Sequence, residues 1–120
     1  GVKEYILRLR QEGVKTAIVT SSNDMKMDIV RHALPELTEM FDLILTADMF
    51  THSKPNPDCF LTAAEKLGCK PEDCVVFEDS LHGLQAARSA GMRVIALATT
   101  LPAERIAPLA DEVWNNFENN

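Results

Sequence analysis

Two adjacent acids, a lysine followed by two prolines (Pro55 and Pro57) and a short run of hydroxyl residues are the parts of this sequence that could do chemistry. They are Thr20, Ser21, Ser22 and Asn23, then Lys54, then Glu78 and Asp79. Adjacent carboxylates repel each other, and burying them without a cation is costly. The pair therefore favours a hard cation such as Mg²⁺, which takes carboxylate ligands and shares substrate phosphate. Hydroxyls, helix N-terminal N–H groups and an ammonium together suit a phosphate.

Each group also has a simpler interpretation. Ser22 or Asn23 could cap a helix that starts near residue 24, and Asp79 or Ser80 could cap the next helix after the acid pair. A lone lysine in a loop is usually a solvated charge. Lys54 differs because the neighbouring prolines stiffen the backbone and direct the side chain.

The spacing of apolar residues predicts alternating helices and strands. Helices are predicted over 2–12, 24–34, 58–67, 82–90 and 102–109, and strands over 16–19, 43–45, 75–77 and 94–97, with an extended stub at 113–114. The predicted helix at 24–34 carries Met25, Ile29 and Ala33 on one face and stops at Pro35. Short strands that are apolar at every position, separated by helices, indicate parallel pairing through crossovers. The fold class is therefore α/β, a sheet layered with helices.

This architecture brings the chemical groups together. In open parallel sheets, ligands bind beyond the carboxyl ends of the strands. The four segments that follow the predicted strands all carry polar groups, the last of them being Thr99 and Thr100. We therefore expect one polar edge with hydroxyls, one ammonium and an acid pair.

Composition excludes several function classes. The 120 residues carry a formal net charge of −6 without a Lys/Arg cluster, which argues against nucleic acid or an anionic membrane as partner. No apolar run approaches a bilayer span, and the first residues lack the core of a signal peptide. Cys59, Cys69 and Cys74 show no C-x-x-C spacing and are predicted to be inert thiols. Together these features predict one cytoplasmic domain.

The ordered motifs resemble the haloacid dehalogenase superfamily of phosphohydrolases, in its β-phosphoglucomutase-like branch. Residues 17–22 (AIVTSS) resemble motif II, residues 53–57 (SKPNP) the K-P-x-P form of motif III, and residues 75–87 (VVFEDSLHGLQAA) motif IV. The resemblance implies a Rossmannoid parallel sheet and assigns roles to four residues. Thr20 would hydrogen-bond the phosphoryl group, and Lys54 would neutralise the phosphate and the nucleophile. Asp79 would bind Mg²⁺ directly, and Glu78 directly or through water.

One family element is missing from these residues. Family members begin with a D-x-D motif whose first Asp becomes the phospho-aspartate, and no Asp here is followed two positions later by another. The resemblance thus implies that residues 1–120 are the C-terminal part of the core domain, without the central first strand and the cap. We expect no turnover from this chain alone. Without that strand, the strands on either side of it must pair directly, leave a gap, or accept a strand from another chain. The alternative to a segment of a larger or divided protein is a short, non-catalytic relative of the family.

Three functions remain in view. The resemblance favours Mg²⁺-dependent hydrolysis of a small phosphate ester through an aspartyl-phosphate in the intact parent protein, with a phosphorylated metabolite such as a sugar phosphate as partner. A β-phosphoglucomutase-type mutase is the alternative, although Asn23 stands where that mutase has a lysine. A receiver-like binding domain also uses acids, a Thr and a Lys. Receivers place their acids first, whereas Thr20 and Lys54 precede the acid pair here.

Overall fold

The computed structural model describes residues 2–20, 25, 29, 32–33, 35–98 and 101–115. The helices are α1 (Val2–Gln11), α2 (Pro35–Glu39), α3 (Asp58–Leu67), α4 (Leu81–Ser89) and α5 (Ala103–Ile106), and residues 25, 29, 32 and 33 are also helical. The strands are β1 (Ala17–Val19), β2 (Leu43–Leu45), β3 (Val75–Glu78), β4 (Arg93–Leu97) and β5 (Glu112–Trp114). Single 3₁₀ turns lie at Ala47–Met49, Pro71–Asp73 and Ala107–Leu109.

The core forms where α3 and α4 pack beside β3 and β4. The two helices bury apolar residues at helical spacing: Cys59, Phe60, Ala63 and Ala64 from α3, and Leu84, Ala86 and Ala87 from α4. All of these except Ala63 form one core cluster with buried residues of the strands, among them Val76, Val94 and Ala96. Gly68 ends α3 in the left-handed region at φ 72°, with its N–H directed at carbonyls of the last turn. The small side chains of α4 let this helix lie close to the sheet.

The strands pair in parallel, as predicted, but in two separate sheets. β1 pairs with β2, and β3, β4 and β5 pair in that order. Within the described ranges β1 and β3 are not hydrogen-bonded to each other. Of the three outcomes considered for the sheet, direct pairing of β1 with β3 is therefore absent from the described residues, whereas the gap and the strand from another chain stay predictions.

Most predicted elements are confirmed within one or two residues, and the stub at 113–114 is the end of strand β5. Helix α2 was not predicted, because Pro35 was interpreted as a stop; proline also suits the first turn of a helix, where no N–H bond is lost. Met25 and Ile29 are helical, as predicted, yet they are 76% and 67% exposed. None of the helices in the described part of the chain is long and apolar enough to span a membrane.

Candidate active site

The centre of the site is an ion pair between Lys54 and Glu78. The Lys54 Nζ lies 2.9 Å from Glu78 Oε2, and the side chains are only 14% and 13% exposed. Lys54 belongs to the loop that follows β2, whereas Glu78 is the last residue of β3. The pair therefore joins the carboxyl ends of the two sheets, which is the edge where the sequence predicted the chemistry to collect.

The second oxygen of Glu78 lies at the start of helix α4. Glu78 Oε1 accepts hydrogen bonds from the N–H of Asp79 (3.2 Å), the N–H of Ser80 (3.3 Å) and the Ser80 hydroxyl (3.2 Å). Ser80 in turn accepts a 3.0 Å bond from the N–H of Gly83, so it caps the helix, one of the two capping roles considered above. A carboxylate at a helix N-terminus is favoured by the helix dipole. Both oxygens of Glu78 are thus engaged by protein donors.

Glycine at position 83 makes room for that carboxylate. Gly83 is buried in the first turn of α4, and a Cβ placed on it would overlap the Cγ, Cδ and Oε2 atoms of Glu78. The backbone of α4 and the Glu78 side chain can approach each other this closely only because no side chain stands between them.

The ammonium of Lys54 also faces an aromatic ring. Its Nζ lies 5.1 Å from the centroid of the Phe60 ring, within the range of a cation–π interaction, and Phe60 is buried in α3. Next to it, burial raises the pKa of the Cys59 thiol against the opposing charge of Lys54. Cys59 is fully buried, whereas Cys74 is only partly buried, and the predicted inertness of the thiols stays a prediction.

The remaining predicted residues are placed to different degrees. Thr20 follows β1 directly, is half-buried, and its N–H donates to the carbonyl of Leu45 at 2.9 Å. Asp79 follows Glu78 and is also half-buried. Ser21, Ser22 and Asn23 lie outside the described residues, as do Thr99 and Thr100.

Comparison with known proteins identifies the family. Residues 1–97 match the profile of the haloacid dehalogenase-like hydrolases. The chain belongs to this family. It is 44% identical over 101 residues to the Arabidopsis thaliana protein SUPPRESSOR OF QUENCHING 1, chloroplastic, covering 84% of the chain and 10% of that protein. To the bifunctional riboflavin kinase/FMN phosphatase of the same plant it is 34% identical over 117 residues, covering 98% of the chain and 31% of the relative.

The fold of this haloacid dehalogenase-like chain also matches solved structures. The putative β-phosphoglucomutase from Thermotoga maritima superposes with a TM-score of 0.85 at 29% identity, covering 95% of the chain and 54% of that structure. The chain thus spans about a tenth to a half of the length of these three proteins. The predicted Rossmannoid α/β class and the β-phosphoglucomutase-like branch are confirmed.

The donor chemistry of the site suits a magnesium ion in part. Within the described residues no group of three or more His, Cys, Asp or Glu side chains is arranged to hold a metal ion. Asp79 has a carboxylate suited to direct coordination, whereas both oxygens of Glu78 already accept hydrogen bonds from the protein. Mg²⁺ is commonly held by one or two carboxylates, with water and substrate oxygens completing the octahedron. The chemistry of these two residues is therefore compatible with a magnesium ion.

Sequence reasoning missed two contributors to the site. Phe60 was not singled out, because nothing in the local sequence of α3 marks it as a ring that contacts a lysine. Gly83 did carry a signal, because a glycine inside a helical pattern costs about 1 kcal/mol relative to alanine and often marks a close approach. The structure shows that the approaching group is Glu78.

Proposed function

We propose that this chain supplies the phosphate-binding and metal-binding part of a Mg²⁺-dependent phosphohydrolase that acts on a small phosphate ester. The observation that carries the proposal is the Lys54–Glu78 ion pair, little exposed, at the carboxyl ends of parallel strands in a haloacid dehalogenase-like hydrolase. Positive charge next to a metal-binding carboxylate pair is what a transferring phosphoryl group requires, since charge stabilisation does most of the work in this reaction.

The proposed roles follow the chemistry of each side chain. Lys54 would neutralise the phosphate, and Thr20, with Ser21, Ser22 and Asn23, would bind its oxygens through hydroxyl, amide and N–H groups. Asp79 would hold Mg²⁺ directly. Glu78 would act on the ion through water, because both of its carboxylate oxygens already accept hydrogen bonds from the protein. When bound, Mg²⁺ would offset the negative charge of the phosphoryl oxygens.

The nucleophile must come from a segment that residues 1–120 do not contain. We propose that a D-x-D strand, followed by a cap, completes the core domain, and that it comes from the same polypeptide or from an associated chain. The break between β1 and β3 supports this proposal, because the two sheets present open edges there. The partial coverage of the relatives supports it as well.

A sugar-phosphate mutase is the second candidate. The likeness to the putative β-phosphoglucomutase from Thermotoga maritima favours it, at a TM-score of 0.85. Asn23 favours a phosphatase, and so does the likeness to the riboflavin kinase/FMN phosphatase of Arabidopsis thaliana.

A phosphorylated metabolite such as a sugar phosphate suits both functions as the partner, and the net charge of −6 supports a partner other than nucleic acid or a membrane surface. Free thiols at Cys59, Cys69 and Cys74 support a reducing compartment such as the cytoplasm.

The proposal is tested by hydrolysis of p-nitrophenyl phosphate and of a panel of sugar phosphates. The protein encoded by the whole reading frame should release phosphate with Mg²⁺ and stop when EDTA removes the ion. The 120-residue chain alone should release none under the same conditions. Turnover by the isolated chain would refute the need for an added nucleophile. If the full-length protein with Mg²⁺ hydrolyses none of these esters, the proposed phosphohydrolase activity is refuted.

A further inference from the structure

The loop that carries Lys54 is tied to the first residue of helix α3. Asp58 Oδ2 accepts hydrogen bonds from the backbone N–H groups of Thr51 (2.8 Å) and His52 (3.0 Å), which stand just before Lys54 in the chain. These two bonds, that from His52 first, lower the pKa of the Asp58 carboxyl below its usual value. An ionised acceptor makes such bonds shorter and stronger than a neutral one. The upstream end of the loop is therefore fixed to α3 by a single carboxylate.

The downstream end of the loop is fixed to the same residue. Asn56 Oδ1 accepts the N–H of Asp58 at 2.9 Å, and the N–H of Asn56 donates to the carbonyl of Ser53 at 3.0 Å. The segment from Ser53 to Asn56 is thus a closed turn, and Lys54 lies within it. The two residues before that turn bond to the Asp58 carboxylate, and its last residue, Asn56, bonds to the Asp58 backbone N–H.

The ammonium end of the Lys54 side chain faces the same helix. Phe60, two residues after Asp58, is buried in the core and holds its ring 5.1 Å from Nζ. Asp58 thus positions the backbone of the loop that carries Lys54. Phe60 and Glu78, the last residue of β3, both lie close to its ammonium. Movement of the loop against α3 would lengthen the 2.9 Å ion pair, and displacements of about 1 Å at such sites cost orders of magnitude in rate.

We propose that Asp58 is a positioning residue for Lys54: its carboxylate holds the loop so that the ammonium meets Glu78 at the strand ends. The consequence for turnover rests on the proposed function above, but the effect on Lys54 itself does not. The competing explanation is that Asp58 only stabilises α3 as an acid in its first turn. That role would change the stability of the fold and leave Lys54 where it is.

The test is the ammonium signal of Lys54 in ¹⁵N NMR spectra of the 120-residue chain, assigned by its loss in Lys54→Ala. In the unsubstituted chain its proton exchange should be slower than that of the exposed Lys66 and Lys70. Asp58→Ala should raise the exchange rate at least tenfold and move the shift toward those of the exposed lysines. Asp58→Asn, which retains one oxygen for the two N–H groups, should raise the rate about two- to threefold. If Asp58→Ala does not fold, Asp58→Asn decides.

The matched control is Glu104→Gln, which removes an exposed acid from the first turn of α5. It should leave the Lys54 signal unchanged. An unchanged Lys54 signal in a folded Asp58→Ala or in Asp58→Asn would overturn the proposal, and so would an equal shift in Glu104→Gln.

A second arm separates this inference from the proposed function. In the full-length protein Asp58→Ala should lower kcat at least tenfold with KM changed less than threefold, and Asp58→Asn should recover most of that loss. If the full-length protein hydrolyses no phosphate ester, the proposed function fails while the NMR result still decides the role of Asp58. If the protein is active and Asp58→Ala retains its kcat, the positioning role is refuted.

Discussion

Gly83→Ala is expected to lower the free energy of unfolding of the chain by about 1–3 kcal/mol, the usual cost of overpacking a filled site. Helix propensity alone predicts the opposite sign, since alanine is favoured over glycine inside a helix by about 1 kcal/mol. The reason is the overlap of the new Cβ with the Glu78 side chain, which two sets of hydrogen bonds hold in place. Urea denaturation at pH 7 measures the difference.

The control for this prediction is the same substitution without the obstructing side chain. In a Glu78→Ala background the overlap is absent, and Gly83→Ala should then be neutral or stabilising by up to about 1 kcal/mol. The two substitutions are therefore expected to be strongly non-additive. A Gly83→Ala chain that is more stable than the unsubstituted one would show that Glu78 does not occupy the position described here.

Lys54→Met is expected to destabilise the chain by about 1–3 kcal/mol at neutral pH, less than the 3–5 kcal/mol of a fully buried pair because both side chains retain some exposure. Methionine keeps the stem of the side chain near the Phe60 ring but removes the ammonium. The Glu78 carboxylate would then stay little exposed without its cation, bonded only to the N–H and hydroxyl groups at the start of α4. Unfolding in urea at pH 7 measures the loss.

A double-mutant cycle isolates the pair. Glu78→Gln removes the charge at the other end, and the double variant should recover part of the combined loss, with a coupling of about 1 kcal/mol or more. Lys66→Met on the exposed face of α3 is the matched control and should change stability by less than about 0.5 kcal/mol. Strict additivity of Lys54→Met and Glu78→Gln would contradict the ion pair.

The sequence was sufficient to predict the elements other than helix α2, and the edge at which the polar groups meet. The reason is local: β3 and β4 are short and strongly apolar, and their polar residues come directly after them, so the carboxyl edge is defined without knowing the contacts. Gly68 and the helical spacing in α3 likewise predict where that helix ends. A capping role for Ser80 could also be predicted, since serine is a common N-cap.

The contacts across the site could not be predicted in this way. Lys54 and Glu78 lie 24 positions apart, Glu78 at the end of β3 and Lys54 in the loop that follows β2 of the other sheet. Their 2.9 Å approach therefore depends on how the two sheets and the loop are placed, which no local pattern encodes. The roles of Asp58 and Phe60 depend on the path of the loop in the same way. The exposure of Met25 and Ile29 also departs from the usual expectation for an apolar helical stripe, because burial depends on neighbouring elements rather than on spacing.

The measurement that tests the central claim most directly is kcat for phosphate-ester hydrolysis by the full-length protein with saturating Mg²⁺, compared between Lys54→Ala, Asp79→Asn and the unsubstituted enzyme. Loss of a charge that faces the transferring phosphoryl group costs about a hundredfold to a thousandfold in rate. Each variant should lose at least that much, while Lys66→Ala and His82→Ala, both at exposed positions, should remain within about twofold. Near-normal turnover in Lys54→Ala or Asp79→Asn would contradict the assignment of this edge as the site of phosphoryl transfer.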